Sequence, residues 1–177
     1  MLIVRYALIY GALMGAVIGG IICTIIAIWG TDHDFASMWF GYLVMLVASA
    51  LIFVGVKQYR DVERGGVIRF LPALGIGLAI MLVGMFAHAV VWEIYMAVSG
   101  VDFMSEYIAA TRANMAEAGK PAAEIAKAIA EMEAMRPMFD NPAIRFPMVM
   151  SEPLPMSVPV ALLSAVLLRN PKFLAAR

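Results

Sequence analysis

Apolar residues in this chain gather into four long runs, at about 6–29, 35–56, 68–99 and 143–168. Between the third and fourth lies a stretch in which polar and apolar positions alternate at helical spacing. A run of roughly 18 or more apolar residues is long enough to cross a bilayer as a helix. The pattern therefore predicts an all-α polytopic membrane protein with a single membrane domain over residues 1–177. Four transmembrane helices follow the four runs, and an extramembrane helical hairpin fills 103–136 between the third and fourth.

In the first run Gly11, Gly15 and Gly19 recur every fourth residue, two overlapping Gly-x-x-x-Gly patterns on one face. Small residues let another backbone approach closely in lipid, where dispersion and weak C–H···O contacts hold it. That partner is either a helix of the same chain or a second copy, and the first is expected. The run is longer than the h-region of a signal peptide, and no Ala-x-Ala-like site follows it, so a retained helix is expected. Asp32-His33-Asp34 is read as a solvated loop rather than a metal site. Trp39, Phe40 and Tyr42 open the second run, as aromatic rings do at headgroup level. A basic loop, Lys57, Arg60, Arg64 and Arg69, follows it, with Gly65-Gly66 as a turn.

The third run exceeds the roughly 20 residues that a hydrocarbon core needs, so it should tilt or project. Asp102 is placed to cap a helix from Phe103 to about Ala118. Gly119-Lys120-Pro121 breaks that helix, and a second is expected to end near Met135, before Pro137. Met104, Tyr107, Ile108, Thr111 and Met115 form one apolar stripe; Ile125, Ile129, Met132 and Met135 form the other. The two stripes most simply pack on each other, the alternative being a lid or a docking arm. Pro147, Pro153, Pro155 and Pro159 interrupt the fourth run, whose outer half should kink or unwind.

Composition sharpens this picture. The chain is 63% apolar and only 15% charged, too little charge to solvate a soluble protein of this size. Its formal net charge is zero, which offers nothing to nucleic acid. Cys23 is the single cysteine, inside an apolar run, so no internal disulfide is expected. Arg5, the Lys57–Arg69 cluster and Arg169, Lys172 and Arg177 all fall on one side of a four-crossing chain. The positive-inside rule makes that side the cytoplasm. The expected location is the bacterial inner membrane, multi-pass, with both termini cytoplasmic and the lipid bilayer as surroundings.

Candidate chemistry sits at the outer ends of the third and fourth runs. Glu93 and Glu152 lie in apolar surroundings, where a charge at mid-bilayer costs about 2.5–3.5 kcal/mol and normally has a partner. His88, Trp92 and Tyr95 share a helix face; Glu93 is about 140° from His88, so those two should not pair. Glu152, Tyr107 and Arg145 are the candidate partners. Three readings compete: a proton- or cation-binding carboxylate pair open to the outer side; a structural role, with Glu152 capping the helix that restarts at Pro153 and Glu93 bonded across helices; and a catalytic metal site. The structural one fits best. No His-Glu-x-x-His or Gly-x-Ser-x-Gly occurs and His88 is the one histidine in an apolar run, so neither an enzyme nor a metal or cofactor is expected.

Gly55-Val56-Lys57-Gln58-Tyr59-Arg60-Asp61, Trp92-Glu93-Ile94-Tyr95, the stretch Glu131 to Phe146, and Glu152 followed by Pro155 and a Ser- and Leu-rich last helix carry a likeness over nearly the whole chain. In these residues the chain resembles the bacterial membrane-protein family catalogued as domain of unknown function 4199. It departs from the family in being rich in Ala and Met and in adding Pro153 and Pro159. The resemblance implies a four-helix inner-membrane protein with no established activity. A non-enzymatic structural or regulatory membrane component is expected. A partner protein on the hairpin or the glycine face goes with that reading. The alternative is a small proton- or cation-coupled carrier using Glu93 and Glu152.

Overall fold

The computed structural model describes residues 2–30 and 38–175, with the backbone alone at Met38. Asp32, His33, Asp34 and the expected start of the second run at Phe35 lie outside the described residues. Seven helices make up the described chain, and among the described residues there is no strand. Three are long and apolar enough to cross a membrane: α1 (Leu2–Trp29), α2 (Met38–Glu63) and α3 (Phe70–Ser99). Helices α4 (Phe103–Glu117) and α5 (Ala122–Asp140) follow, then α6 (Pro142–Ser151) and α7 (Leu154–Leu168). The last two, bent at 40° to one another, pass the same test as one broken span.

The closest packing joins α1 to α3. A Cβ built on Gly15 would lie 2.5 Å from the Ala87 Cβ and 2.6 Å from the His88 backbone nitrogen. Only a bare glycine permits that approach. Equivalent atoms on Gly11 and Gly19 would meet Ile80 O and Val91 Cβ, each at 2.7 Å. The Gly11/Gly15/Gly19 face is thus covered by a helix of the same chain, and no room is left on it for a second copy. Around this seam Met14, Ile18, Ile52, Ile76, Ile80 and Ala161 are fully buried. Helix α7 packs against both α2 and α3. Between α2 and α7 the buried Ser49 and Ser157 hydroxyls meet at 2.9 Å, and Ser49 Oγ donates to Met45 O at 2.7 Å. Hydroxyls in an apolar core cost free energy unless they find such partners.

Helix α2 does not stop at Val56. It continues through Lys57 and Arg60 to Glu63, so those two basic residues are helical and not part of a loop. Asp61 accepts from Lys57 Nζ at 2.5 Å and from Arg60 Nε at 2.6 Å, and Glu63 supplies the second negative charge that balances the two cations. Arg60 is wholly buried. It donates to the carbonyls of Phe173 at 2.9 Å and Leu174 at 2.6 Å, just beyond the end of α7. Carbonyls at a helix C-terminus lack intrahelical donors, and a guanidinium meets that need with several N–H groups at once. Arg64 and Arg69 remain in the exposed link, Arg64 lying 5.8 Å over the Tyr59 ring.

The break expected from the prolines falls at Glu152–Pro153, where α6 gives way to α7. Glu152 does not cap α7, whose N-cap is Pro153 with no side-chain hydrogen bond. At the same end of the bundle Gly100, in the left-handed conformation with φ 66°, terminates α3. Asp102 then caps α4, accepting from Ser105 N at 3.0 Å and Ser105 Oγ at 2.6 Å. Helices α4 and α5 meet along Met104, Ile108 and Ile129, with Ile125 and Met132 beside them. Two expectations fail here. Helix α5 runs on past Pro137 to Asp140, because Pro137 and Glu133 are both exposed and water can reach the carbonyl that the proline leaves without a donor. Met135 is 47% exposed and turned out of the α4–α5 seam.

Candidate functional site

The candidate polar residues all collect where α3 and α6 meet the α4–α5 pair, but in two separate groups. In the first, Arg145 of α6 grips Glu93 of α3 through two parallel bonds, Nε to Oε1 at 2.8 Å and Nη2 to Oε2 at 2.6 Å. The remaining Nη1 donates to Phe139 O at 3.0 Å, and the guanidinium carbon lies 5.7 Å from the centre of the Phe139 ring. One side chain therefore ties α3, α5 and α6 together. Two-pronged pairing of this kind is geometrically specific and suits arginine alone among the cations. The rings around it interlock as well: Phe103 is edge-on to Trp92 at 5.0 Å and stacked on Phe139 at 5.5 Å. Tyr95 adjoins Trp92 at 6.0 Å.

The second group is His88 with Glu152. His88 is buried against α1, with Nδ1 on the side of Gly19, and neither ring nitrogen has a hydrogen-bond partner among the described residues. Its Nε2 stands 3.6 Å from Glu152 Oε2, near enough to attract but too far to bond. Glu93 and Glu152 do not share a proton through a hydrogen bond; each has its own cationic or protonatable neighbour. His88 and Glu93 are likewise apart, as their helical spacing requires. Glu152 borders a cavity of about 460 Å3 between the ends of α1 and α2 and the α4–α5 pair, and Trp92 forms part of its wall. Trp92 is buried, and its indole Nε1–H has no partner among the described residues.

A third cluster, outside the apolar helices, locks the base of the α4–α5 pair. Arg136 bonds Glu133 at 2.8 Å, Asp102 at 3.3 Å and Ser105 Oγ at 3.1 Å. Hydrogen bonds from Ser105 side chain and backbone, with help from Arg136, hold the Asp102 carboxyl below the ordinary carboxylate range. The Arg136 hydrogen bond does the same for Glu133. Among the described residues no three His, Cys, Asp or Glu side chains are grouped so as to hold a metal ion.

Sequence reasoning named Arg145 only as one candidate among three, and assigned Arg60 no more than a place in a basic loop. The signal for Arg145 was present, since a lone arginine among Ala143, Ile144 and Phe146 must find acceptors; Arg60, set in a run of charged residues, carried no such mark. The Ser49–Ser157 bond had no readable signal, since two serines 108 residues apart share no local pattern.

Apolar helices of this length, packed around glycine seams and buried serines, define a multi-pass helical membrane protein. The sequence model of one family, described as "Protein of unknown function (DUF4199)", matches residues 5–170. The chain belongs to that family. No curated protein and no solved structure matches it.

Proposed function

We propose that this chain is a non-enzymatic structural or regulatory component of the bacterial inner membrane. On this reading α1, α2, α3 and the bent α6–α7 pair make four crossings, both termini face the cytoplasm, and α4–α5 is a hairpin standing on the outer side. The observation that supports it is the Arg145 joint. A carrier must change shape and cycle its charged groups, whereas here Glu93 is held at two points by an arginine that also fixes α5. Separating that pair would strand two charges in largely apolar surroundings. The hairpin is thus a fixed platform suited to a membrane-protein partner.

A second reading, the proton- or cation-coupled carrier, keeps Glu152 in place of the pair, because Glu152 borders a cavity and stands beside a buried histidine. Proteoliposomes loaded with a pH-sensitive dye separate the two. The structural reading expects wild type and Glu152→Gln to show the same low proton leak as empty vesicles under an imposed gradient. Flux that requires Glu152 would transfer the assignment to the carrier.

A further inference from the structure

The cavity beneath α4–α5 has a composition that the platform role does not require. Its volume, about 460 Å3, lies within the roughly 300–1,000 Å3 typical of small-molecule sites. Six rings face it: Phe40, Tyr42, Trp92, Phe103, Tyr107 and Phe139. Five flexible thioethers complete much of the wall: Met45, Met104, Met132, Met135 and Met148. Methionine is soft and unbranched, and adapts to irregular apolar shapes. Among the described residues Glu152 is the one charged side chain that lines the space, and no lysine or arginine does. Glu152 has His88 at 3.6 Å and no hydrogen bond among the described residues. Trp92 contributes only part of its ring, being 5% exposed, and Glu152 is left as the polar group that a guest can reach.

We infer that this cavity binds a lipophilic organic cation of drug-like size, an aromatic or alicyclic body bearing one positive centre. The aromatic lining and the Glu152 carboxylate attract the cation. An anionic guest would meet Glu152 and the ring faces with the wrong sign. A two-chain lipid is too bulky for the volume, so the occupant is a free small molecule. Met135 and Tyr107, both partly exposed, form the entrance. The inference goes beyond the platform reading, since binding does not require the bundle to move.

Rhodamine 6G, a fluorescent cation with an ester carbonyl, is a suitable probe for the full-length protein in a non-ionic detergent. Fluorescence anisotropy should show saturable binding to wild type. Glu152→Gln should weaken it by about tenfold, the order expected for one partly screened charge contact. Met135→Trp should block it by filling the entrance, whatever Glu152→Gln does to folding. The anionic dye 8-anilinonaphthalene-1-sulfonate should bind wild type poorly and Glu152→Gln better. The inference is overturned if rhodamine 6G fails to bind wild type, if Met135→Trp leaves binding intact, or if folded Glu152→Gln binds both dyes as wild type does. It is equally overturned if Glu124→Gln, which changes an exposed carboxylate on α5, matches the loss seen with Glu152→Gln.

Discussion

A single residue, Arg145, decides how the polar end of this protein works. Viewed as sequence, Glu93 invites pairing with Glu152, and removing its charge would then relieve repulsion. With Arg145 bonded to both Glu93 oxygens, the effect reverses. Arg145→Met leaves Glu93, about a quarter exposed, without its cation, and should cost about 2 kcal/mol after allowance for that exposure. Glu93→Gln should also destabilise, through loss of a charged pair. The double variant Glu93→Gln/Arg145→Met should recover part of the loss, a coupling that thermal unfolding of all four proteins would measure. Unfolding curves that simply add would mean the two side chains act independently. Glycines offer a second contrast at this scale. Gly15→Ala drives a methyl group into the α3 backbone and should destabilise by about 1–3 kcal/mol. Gly20→Ala has no heavy atom within 4 Å to meet, and should be neutral or slightly stabilising in the same assay.

At the scale of elements, the apolar pattern located every long helix, because a membrane span must satisfy its own backbone hydrogen bonds and so cannot be anything else. The ends were less readable. Helix α2 outruns its apolar stretch, with Asp61 bonded to two cations in its last turns. Helix α5 outruns Pro137, and Arg145 of α6 supplies a donor to its Phe139 carbonyl. The first contact is local, Lys57 and Asp61 standing four residues apart, whereas the second depends on how α6 turns back on α5. Asp102 was legible as a cap because its role depends on Ser105, only three residues away. That cap also sets a pH response. The folded pKa values of Asp102 and Glu133 are depressed, so their contribution is complete above the unfolded values of about 3.9 and 4.3 and fades as pH falls through the lower folded ones. Amide exchange in the first turn of α4, corrected for its intrinsic pH dependence, should therefore quicken below about pH 4 and stay constant from there to neutrality. Acceleration between pH 5 and 7 instead would mean that a different group controls the cap.

Across the whole molecule the candidate site was legible as a location but not as a set of pairs. Glu93, His88, Trp92, Tyr95 and Glu152 all lie near one end, which depth along each apolar run already implied. Which of them touch depends on how α6 is rotated relative to α7 across the break at Pro153, and no sequence period encodes a rotation across a bend. The proposed orientation is open to a direct check. In a Cys23→Ala background, a cysteine in place of Ala118 should react with an impermeant maleimide added to intact cells, and one in place of Val62 should react only after lysis. The reverse labelling pattern would turn the molecule over.

The grip of Arg60 on the chain beyond α7 bears on how the protein is made. Its acceptors at Phe173 and Leu174 lie 113 and 114 residues further along. During synthesis α2 therefore enters the membrane long before those carbonyls leave the ribosome, carrying an arginine that must hold water or lipid phosphate in the interval. Docking of the last helix releases that temporary company. Completion of the chain and full enclosure of Arg60 thus become one event, and a nascent protein stalled before Phe173 holds that arginine by Asp61 alone.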